Sequence, residues 1–178
     1  MVLTDSEIAI ALMNEEIEIE PYDKSCLGSN SYDVHIGKYL LVNMDDAIDP
    51  KKEGKWREVE IPEDGFTLVA GELYLANTIE RTYTPNHLPD IDGKSSIGRL
   101  GISIHQTAGK GDVGFNGHWT LEITVVKKTI LYAGMKIGQI RFHEVKGICS
   151  KPYAAKTGSS YQNQEAKPQP SQMWKKFK

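Results

Sequence analysis

The side chains best suited to chemistry lie between residues 92 and 124, in DGKSSIGRLGISIHQTAGKGDVGFNGHWTLEIT. In the last seven of these residues polar and apolar side chains alternate, which predicts a strand with Glu122 on its polar face. Four glycines crowd the preceding loop around Asp112 and let its backbone approach a ligand closely. A carboxylate beside such a loop could give and take protons at a planar ring. The same alternation is typical of a strand face turned to solvent, and the spacing leaves both interpretations open.

The beginning of this stretch offers donors for phosphate. Lys94 and two adjacent serines, Ser95 and Ser96, follow Gly93, an order that resembles the end of a phosphate-binding P-loop. A P-loop also requires a glycine five residues before Gly93, where this chain has Leu88. The P-loop is therefore excluded. Phosphate binding through side chains and turn amides is the arrangement that these residues still allow.

The histidines and cysteines do not form a metal-binding pattern. The five histidines are His35, His87, His105, His118 and His143. None has HxxxH or HExxH spacing, and the HxE…PCxxC signature of zinc-dependent base deaminases is missing. The two cysteines, Cys26 and Cys149, lack CxxC spacing and are expected to be buried free thiols. We therefore predict no zinc and no other metal held by protein side chains.

The elements that must position these residues are strands, preceded by one short helix. Thr4 and Glu7 have capping-box spacing, and Ile8, Ala11 and Leu12 share one helical face, so a helix is predicted at the start of the chain. Alternating or turn-bounded runs predict strands at 16–20, 32–36, 66–69, 73–79, 101–106, 118–126, 129–132 and 136–143. Because no helical pattern separates these runs, we predict a mostly β fold, either a sandwich or a barrel.

Length and composition limit the class of protein. A chain of 178 residues with 39 % hydrophobic and 25 % charged residues fits one globular domain with an appendage. Its net charge of −3 gives no general attraction to nucleic acid or to an anionic membrane. No apolar run approaches the roughly 20 residues of a membrane span, and the N-terminus lacks the order of a signal peptide. We therefore expect a cytoplasmic protein without nucleic-acid or membrane partners.

The chain changes character at residue 150. Residues 150–178 contain six lysines, the single acid Glu165, three prolines and few apolar residues. Such a segment is not expected to form a core of its own. We therefore divide the chain into a β domain at 1–149 and a basic C-terminal tail at 150–178. The tail is either a solvated terminus or a flap that orders over a bound anion and shields it from water.

Several motifs in a fixed order make the sequence similar to the dCTP deaminases, a family within the trimeric dUTPase-like superfamily. The motifs are CLGSNSYDVHIG at 26–37, GKSSIGRLG at 93–101, HQTAGKGDVGFNGHWTLEI at 105–123 and, in the tail, PY, YQNQ and MWKKF. The resemblance covers nearly the whole chain. It implies a distorted β jelly roll or β-barrel of the dUTPase-like type, with a short N-terminal helix and a C-terminal flap. It also implies a homotrimer with active sites at the subunit boundaries.

The activity that the resemblance implies is hydrolysis of the C4 amino group of dCTP, which gives dUTP and ammonia in pyrimidine deoxynucleotide metabolism. Mg²⁺ would accompany the substrate triphosphate, and no metal would act at the reacting carbon. Inhibition by dTTP is a family property that no residue pattern in this chain predicts.

Carried over residue by residue, the resemblance implies three catalytic groups. Glu122 would move a proton between the attacking water, the ring and the leaving amine. Ser95 and Arg99 would help to position the water and the base, although Arg99 could instead form an ion pair at a subunit interface. The positions that match substrate-binding residues are Lys94 and Ser96 for phosphate, Asp112 for the sugar 3′-hydroxyl, Thr107, Ala108 and Thr120 for the base, and Tyr153 and Gln164 for the triphosphate.

One position of the tail departs from the family pattern. Ser160 stands before Tyr161, where lysine is common in the family. We expect Lys156 or Lys167 to supply the missing phosphate contact.

Three other functions remain open. A bifunctional enzyme would also cleave the triphosphate and release dUMP and pyrophosphate, since Asp112 resembles the acid with which dUTPases activate water and HQTAG is similar to some bifunctional relatives. A plain dUTPase would not need an acid at Glu122. A non-catalytic nucleotide-binding regulator could use the same fold.

Overall fold

The computed structural model describes residues 1–178 and is built mainly from strands. The eleven strands are β1 (Glu18–Glu20), β2 (Tyr32–His35), β3 (Tyr39–Asn43), β4 (Trp56–Glu60), β5 (Phe66–Leu68), β6 (Tyr74–Tyr83), β7 (His87–Gly93), β8 (Ile102–Ser103), β9 (Asn116–Val125), β10 (Thr129–Leu131) and β11 (Lys136–Glu144). The helices are α1 (Asp5–Met13) and α2 (Ser95–Gly98), with 3-10 turns at Lys24–Cys26, Tyr153–Ala155 and Met173–Phe177. The prediction of a mostly β fold is confirmed. None of these helices is long and apolar enough to cross a membrane.

The strands pair antiparallel in three sheets. The largest sheet has the order β4-β3-β6-β9-β8, with β1 also paired to β6. The second sheet has β11 between β2 and β7, and the third joins β10 to β5. The two larger sheets meet at an isolated bridge between Ile36 and Thr78 rather than through continuous strand pairing. A closed barrel therefore does not form, and this part of the expected fold is wrong.

One hydrophobic core lies between the two larger sheets. Leu121 and Ile123 of β9 belong to the same cluster of 28 buried residues as Val34 of β2 and Ile140 of β11. Burial of each such side chain stabilises the fold by roughly 1.5–3 kcal/mol. Since side chains of a strand alternate between its two faces, the same burial turns Glu122 to the opposite face of β9.

Helix α1 forms where it was predicted, but its capping box does not. Ile8 and Ala11 are buried, and Leu12 packs against the core. Thr4 is the N-cap residue, yet its hydroxyl makes no bond to the helix backbone and lies 3.1 Å from the Ser6 hydroxyl. Burial of one face therefore holds this helix in place, rather than its cap.

Three strands, β3, β4 and β7, have no counterpart among the predicted ones. β4 exposes Arg57, Glu58 and Glu60, so it shows no alternation of polar and apolar residues. β7 contains Pro89, which argues against a central strand but is tolerated here because β7 is the edge of its sheet. β8 is shorter than the predicted strand at 101–106, since only Ile102 and Ser103 pair with β9.

Residues 150–178 fold back onto the body of their own chain. The Tyr153 N–H donates to the Val113 C=O (2.7 Å), and the His118 N–H donates to the Gln164 C=O (3.0 Å). Gln164 also forms a parallel bridge with Gly117. The tail thus runs beside the first residues of β9, the strand that carries Glu122.

Candidate active site

Glu122 lies half-buried near the middle of the polar face of β9. Its backbone N–H donates to the Ile104 C=O (2.9 Å), and its carboxylate Oε2 accepts the Gln106 N–H (2.8 Å). The other oxygen, Oε1, has no hydrogen-bond or ion-pair partner within the chain. A carboxylate held at one oxygen and unbonded at the other can bind a water molecule in a defined direction.

Two residues before Glu122, the Thr120 hydroxyl is bonded to the tail. It accepts the Gln164 side-chain N–H (2.5 Å) and the Gln169 backbone N–H (3.0 Å). Gln164 itself is only 4 % exposed. Because a hydroxyl has two acceptor positions and one donor, the tail leaves the O–H of Thr120 unused.

The tail also contacts the body of the chain at Asp112. The Asp112 carboxylate lies 3.3 Å from the Lys156 ammonium, and both side chains are more than half exposed, at 55 % and 59 %. Nearby, the Tyr153 ring packs edge-on against Phe115 with 5.8 Å between ring centroids. The Tyr153 hydroxyl accepts the Tyr161 N–H (3.1 Å). An acid and a lysine are thus brought together at the surface, where both can reach a ligand.

Two glycines let the tail approach this closely. Gly114 and Gly117 have φ angles of +84° and +148°, which residues other than glycine rarely adopt. A Cβ on Gly114 would lie 2.8 Å from the Pro152 side chain, and a Cβ on Gly117 would lie 2.7 Å from the Gln164 backbone N. Of the four glycines around Asp112, Gly114 and Gly117 therefore fit against the chain's own tail, whereas Gly109 and Gly111 pack against the β domain.

Lys94, at the end of β7, belongs to a cluster of charges with Asp33 and Lys136. The Asp33 carboxylate bonds to the Lys94 ammonium and lies 3.1 Å from the Lys136 ammonium. This bond to Asp33 raises the pKa of Lys136 above its ordinary value. Two ammonium groups on one carboxylate leave one positive charge in excess, which suits an incoming phosphate.

The other candidates of the GKSS stretch stand apart from Glu122. Ser95, Ser96 and Arg99 lie on or next to α2, are exposed, and make no side-chain hydrogen bond or ion pair. α2 leads into β8, which pairs with the end of β9 through Val125. Within one chain, no hydrogen bond or ion pair links α2 to Glu122. In a single chain, the three predicted catalytic residues are therefore not linked by hydrogen bonds or ion pairs.

Thr107 and Ala108 follow Gln106 on an exposed loop, and neither side chain makes a hydrogen bond. The two lysines considered for the missing tail contact differ in their surroundings. Lys156 faces Asp112, whereas Lys167 lies 3.3 Å from Glu58 and 4.9 Å from the Tyr39 ring centroid. Lys156 is therefore the better placed of the two to act near Asp112.

Sequence reasoning missed four residues that contact the candidates: Gln106, Asp33, Lys136 and Gln169. Asp33 and Lys136 each lie on the half-buried face of a strand, and this alternation is visible in the sequence. Nothing in the sequence indicated their partners, since these lie far along the chain.

Both cysteines are free, as predicted, but only one is buried. Cys26 lies in the core, whereas Cys149, next to the tail, is exposed. Across the whole chain, no group of three or more His, Cys, Asp or Glu side chains is arranged to hold a metal ion.

Curated relatives match this chain over almost its full length. A protein of Leptospira biflexa is 45 % identical over 177 residues, covering 99 % of this chain and 98 % of its own. Proteins of Hathewaya histolytica and Clostridium acetobutylicum are 43 % and 41 % identical, with 99 % of each chain covered. All three are named "dCTP deaminase, dUMP-forming". The expectation that dUTP is the released product is therefore wrong. The names of these relatives favour the bifunctional alternative.

A solved structure shows the same fold, and a family model gives the classification. The crystal structure of 2′-deoxycytidine 5′-triphosphate deaminase from Agrobacterium tumefaciens matches with a TM-score of 0.64 at 21 % identity. The match covers 84 % of this chain and 50 % of that chain, and at this identity it supports the fold alone. The model of the dCTP deaminase-like family matches residues 2–145. Together with the relatives above 40 % identity, this match shows that the chain belongs to the dCTP deaminase-like family.

Proposed function

We propose that this protein converts dCTP and two water molecules into dUMP, ammonia and pyrophosphate. The observation that carries the proposal is the Glu122 carboxylate, which is half-buried, bonded at Oε2 to the Gln106 N–H and unbonded at Oε1. Such a group can hold one water molecule against a planar ring and take its proton. The names of the relatives support the choice of dCTP as substrate and of dUMP as product.

In the first step, Glu122 accepts a proton from water while the water oxygen forms a bond to C4 of the cytosine ring. Glu122 delivers this proton to the ring nitrogen next to C4. It then moves the proton of the new C4 hydroxyl to the amino group, the C4–N bond breaks, and ammonia departs to leave the C4 carbonyl. One carboxyl group serves as base and then as acid, which is worth roughly 10²–10⁴ in rate. The Thr120 O–H, whose two acceptor positions are used by the tail, is left to donate to an acceptor atom of the base.

In the second step, a second water attacks the α-phosphorus of the dUTP formed, and the bond to the bridging oxygen breaks to release pyrophosphate. In this proposal, the exposed Asp112 carboxylate takes the proton of this water. Lys156, 3.3 Å from Asp112, can neutralise phosphate charge as it develops. The substrate-binding and water-activating roles of Asp112 use the same carboxylate.

The triphosphate is bound by Lys94 and Ser96, with Mg²⁺ entering as part of the substrate and neutralising some of its charge. Ser95 and Arg99 complete the site around the water and the base. Because no hydrogen bond or ion pair links these residues to Glu122 within one chain, we propose that they come from a neighbouring copy in a homotrimer. A symmetric ring places the same two surfaces together at every subunit boundary.

Product analysis tests this proposal. The purified protein is incubated with dCTP and Mg²⁺, ammonia is measured by an enzymatic assay, and nucleotides are separated by anion-exchange chromatography. We expect ammonia, dUMP and pyrophosphate in equal amounts. Release of dUTP without dUMP would contradict the second step, and absence of ammonia would contradict the whole proposal. Asp112→Asn should slow the second step, which is measured as release of pyrophosphate. Thr129→Val, in β10, is the control variant and should release pyrophosphate at close to the wild-type rate.

A further inference from the structure

Gln106 makes three hydrogen bonds to β9, two to Glu122 and one to Thr124. Its backbone N–H donates to Glu122 Oε2 (2.8 Å). Its side-chain amide donates to the Thr124 hydroxyl (3.1 Å) and makes a longer contact with the Glu122 C=O (3.4 Å). The side chain thus ties the loop to the strand, and the backbone N–H next to it holds the carboxylate.

Gln106 is the last residue of its loop that is hydrogen-bonded to β9, and the loop is next held to β7, where the Ile91 N–H donates to the Gly109 C=O (2.7 Å). Before Gln106, His105 lies 3.5 Å from Asp92 of β7. After it, Thr107 and Ala108 are exposed and make no side-chain hydrogen bond. Between Gln106 and Gly109, no loop side chain other than that of Gln106 is bonded to β9.

We propose that Gln106 is a positioning residue for Glu122. Its side-chain amide is bonded to Thr124 and so fixes the position of the Gln106 backbone N–H. This N–H holds Oε2 of Glu122, which directs Oε1 toward the attacking water. This inference rests on the proposed function of Glu122. Gln106 itself is not required to touch the reacting atoms.

The expected size of the effect follows from geometry. A misplacement of about 1 Å in a catalytic group can cost on the order of 10²-fold in rate. Removing the amide leaves the N–H present but unfixed, so we expect a decrease in kcat of roughly 10- to 100-fold. The KM for dCTP should change by less than about threefold, because the lost interaction acts on the chemical step and not on ground-state binding.

Gln106→Met tests the inference, because methionine keeps the length of the side chain and lacks the N–H donors. Thr124→Val removes the acceptor, and the double variant closes a thermodynamic cycle. Thr129→Val in β10 is the matched control, since its hydroxyl donates only to the Lys127 C=O. We expect both single variants to lower kcat for ammonia release and the double variant to lower it no further. A kcat equal to that of the wild type in Gln106→Met, a rise of KM alone, or effects that multiply would each overturn the inference.

Amide hydrogen exchange separates this inference from the proposed function. The N–H of residue 106 should exchange slowly in the wild type and at least about tenfold faster in Gln106→Met and in Glu122→Ala. Equal exchange rates in all three proteins would overturn the positioning role even if the enzyme is active. If the wild type released no ammonia, the proposed function would be contradicted. Slow exchange at residue 106 would still show that the Gln106 N–H is bonded to the Glu122 carboxylate.

Discussion

The polar face of β9 and the segment around α2 carry the proposed chemistry, and they are built in opposite ways. On β9, Glu122 and Thr120 are already bonded to other parts of the same chain, Glu122 to the loop at Gln106 and Thr120 to the tail at Gln164. Around α2, Ser95 and Arg99 are exposed and make no side-chain bond.

This difference shows which part of the site one chain can build alone. The carboxylate is held before any substrate arrives, so its orientation does not depend on binding. The hydroxyl and guanidinium donors, by contrast, have no partner in the chain, and an arginine keeps its charge under all ordinary conditions. We infer that their partners are a ligand and a second copy of the protein.

Glu122→Gln removes the chemistry of the β9 face and should have the largest effect. The amide keeps the size of the side chain but cannot accept a proton from water, so ammonia release should fall by at least roughly 10²–10⁴-fold. The affinity for dCTP, measured by isothermal titration calorimetry, should stay within about threefold of that of the wild type. A variant that keeps most of the wild-type rate would show that another group acts as the base.

Arg99→Ala tests the other region. Loss of one preorganised donor should lower kcat by roughly 10²-fold. Because Arg99 is exposed and unpaired within the chain, the free energy of unfolding should change by less than about 0.5 kcal/mol. Light scattering serves as the control: if the variant changes the oligomeric mass while turnover per intact oligomer is unaffected, Arg99 is an interface residue instead.

Thr120→Val sharpens the role of the tail. It removes the acceptor for the Gln164 and Gln169 N–H groups, each bond being worth about 1 kcal/mol. The tail should open roughly 5- to 30-fold more often, which limited trypsin digestion detects as faster cleavage after Lys156. The KM for dCTP should rise in parallel. Digestion at the rate of the wild type, with Thr129→Val as the control, would show that these bonds do not hold the tail.

Tyr32→Phe probes the core outside both regions and should affect stability alone. Tyr32 is 1 % exposed, its hydroxyl accepts the Asp23 N–H (2.7 Å), and burial raises its pKa to about 12. The variant should lose about 1 kcal/mol of unfolding free energy at neutral pH and keep its kcat. The pKa of Tyr32 is about 10 in the unfolded chain and about 12 in the folded one. The unfolding free energy of the wild type should therefore fall more steeply with rising pH in this range than that of Tyr32→Phe. Urea denaturation at pH 8 and pH 11 measures both effects, and equal slopes in the two proteins would contradict the assignment.

The sequence predicted well those features that are written within one short segment. The alternation around Glu122 predicted a strand and its two faces, and burial of Leu121 and Ile123 confirms it. β4 was missed for the same reason, because its mostly exposed residues show no alternation.

Contacts between distant segments were not predictable in this way. Asp33 and Lys94 are 61 residues apart, and Thr120 and Gln164 are 44 residues apart. No local pattern contains such pairs, since tertiary packing brings them together. The expectation of dUTP as product was wrong because the loop around Asp112 does not distinguish a dUTP-releasing from a dUMP-releasing enzyme. The names of the relatives distinguish the two.

Complementation between two inactive variants tests the central claim most directly, namely that Glu122 and Arg99 act together across a subunit boundary. Glu122→Gln and Arg99→Ala chains, each carrying a different affinity tag, are co-expressed, and oligomers that contain both tags are isolated. In a homotrimer where each site takes one residue from each of two neighbours, every oligomer that contains both kinds of chain has one site with both wild-type residues, so about one third of its sites are restored. We therefore predict that ammonia release from dCTP returns to a substantial fraction of the wild-type rate. Mixed oligomers with no activity above that of the separate variants would contradict the shared site.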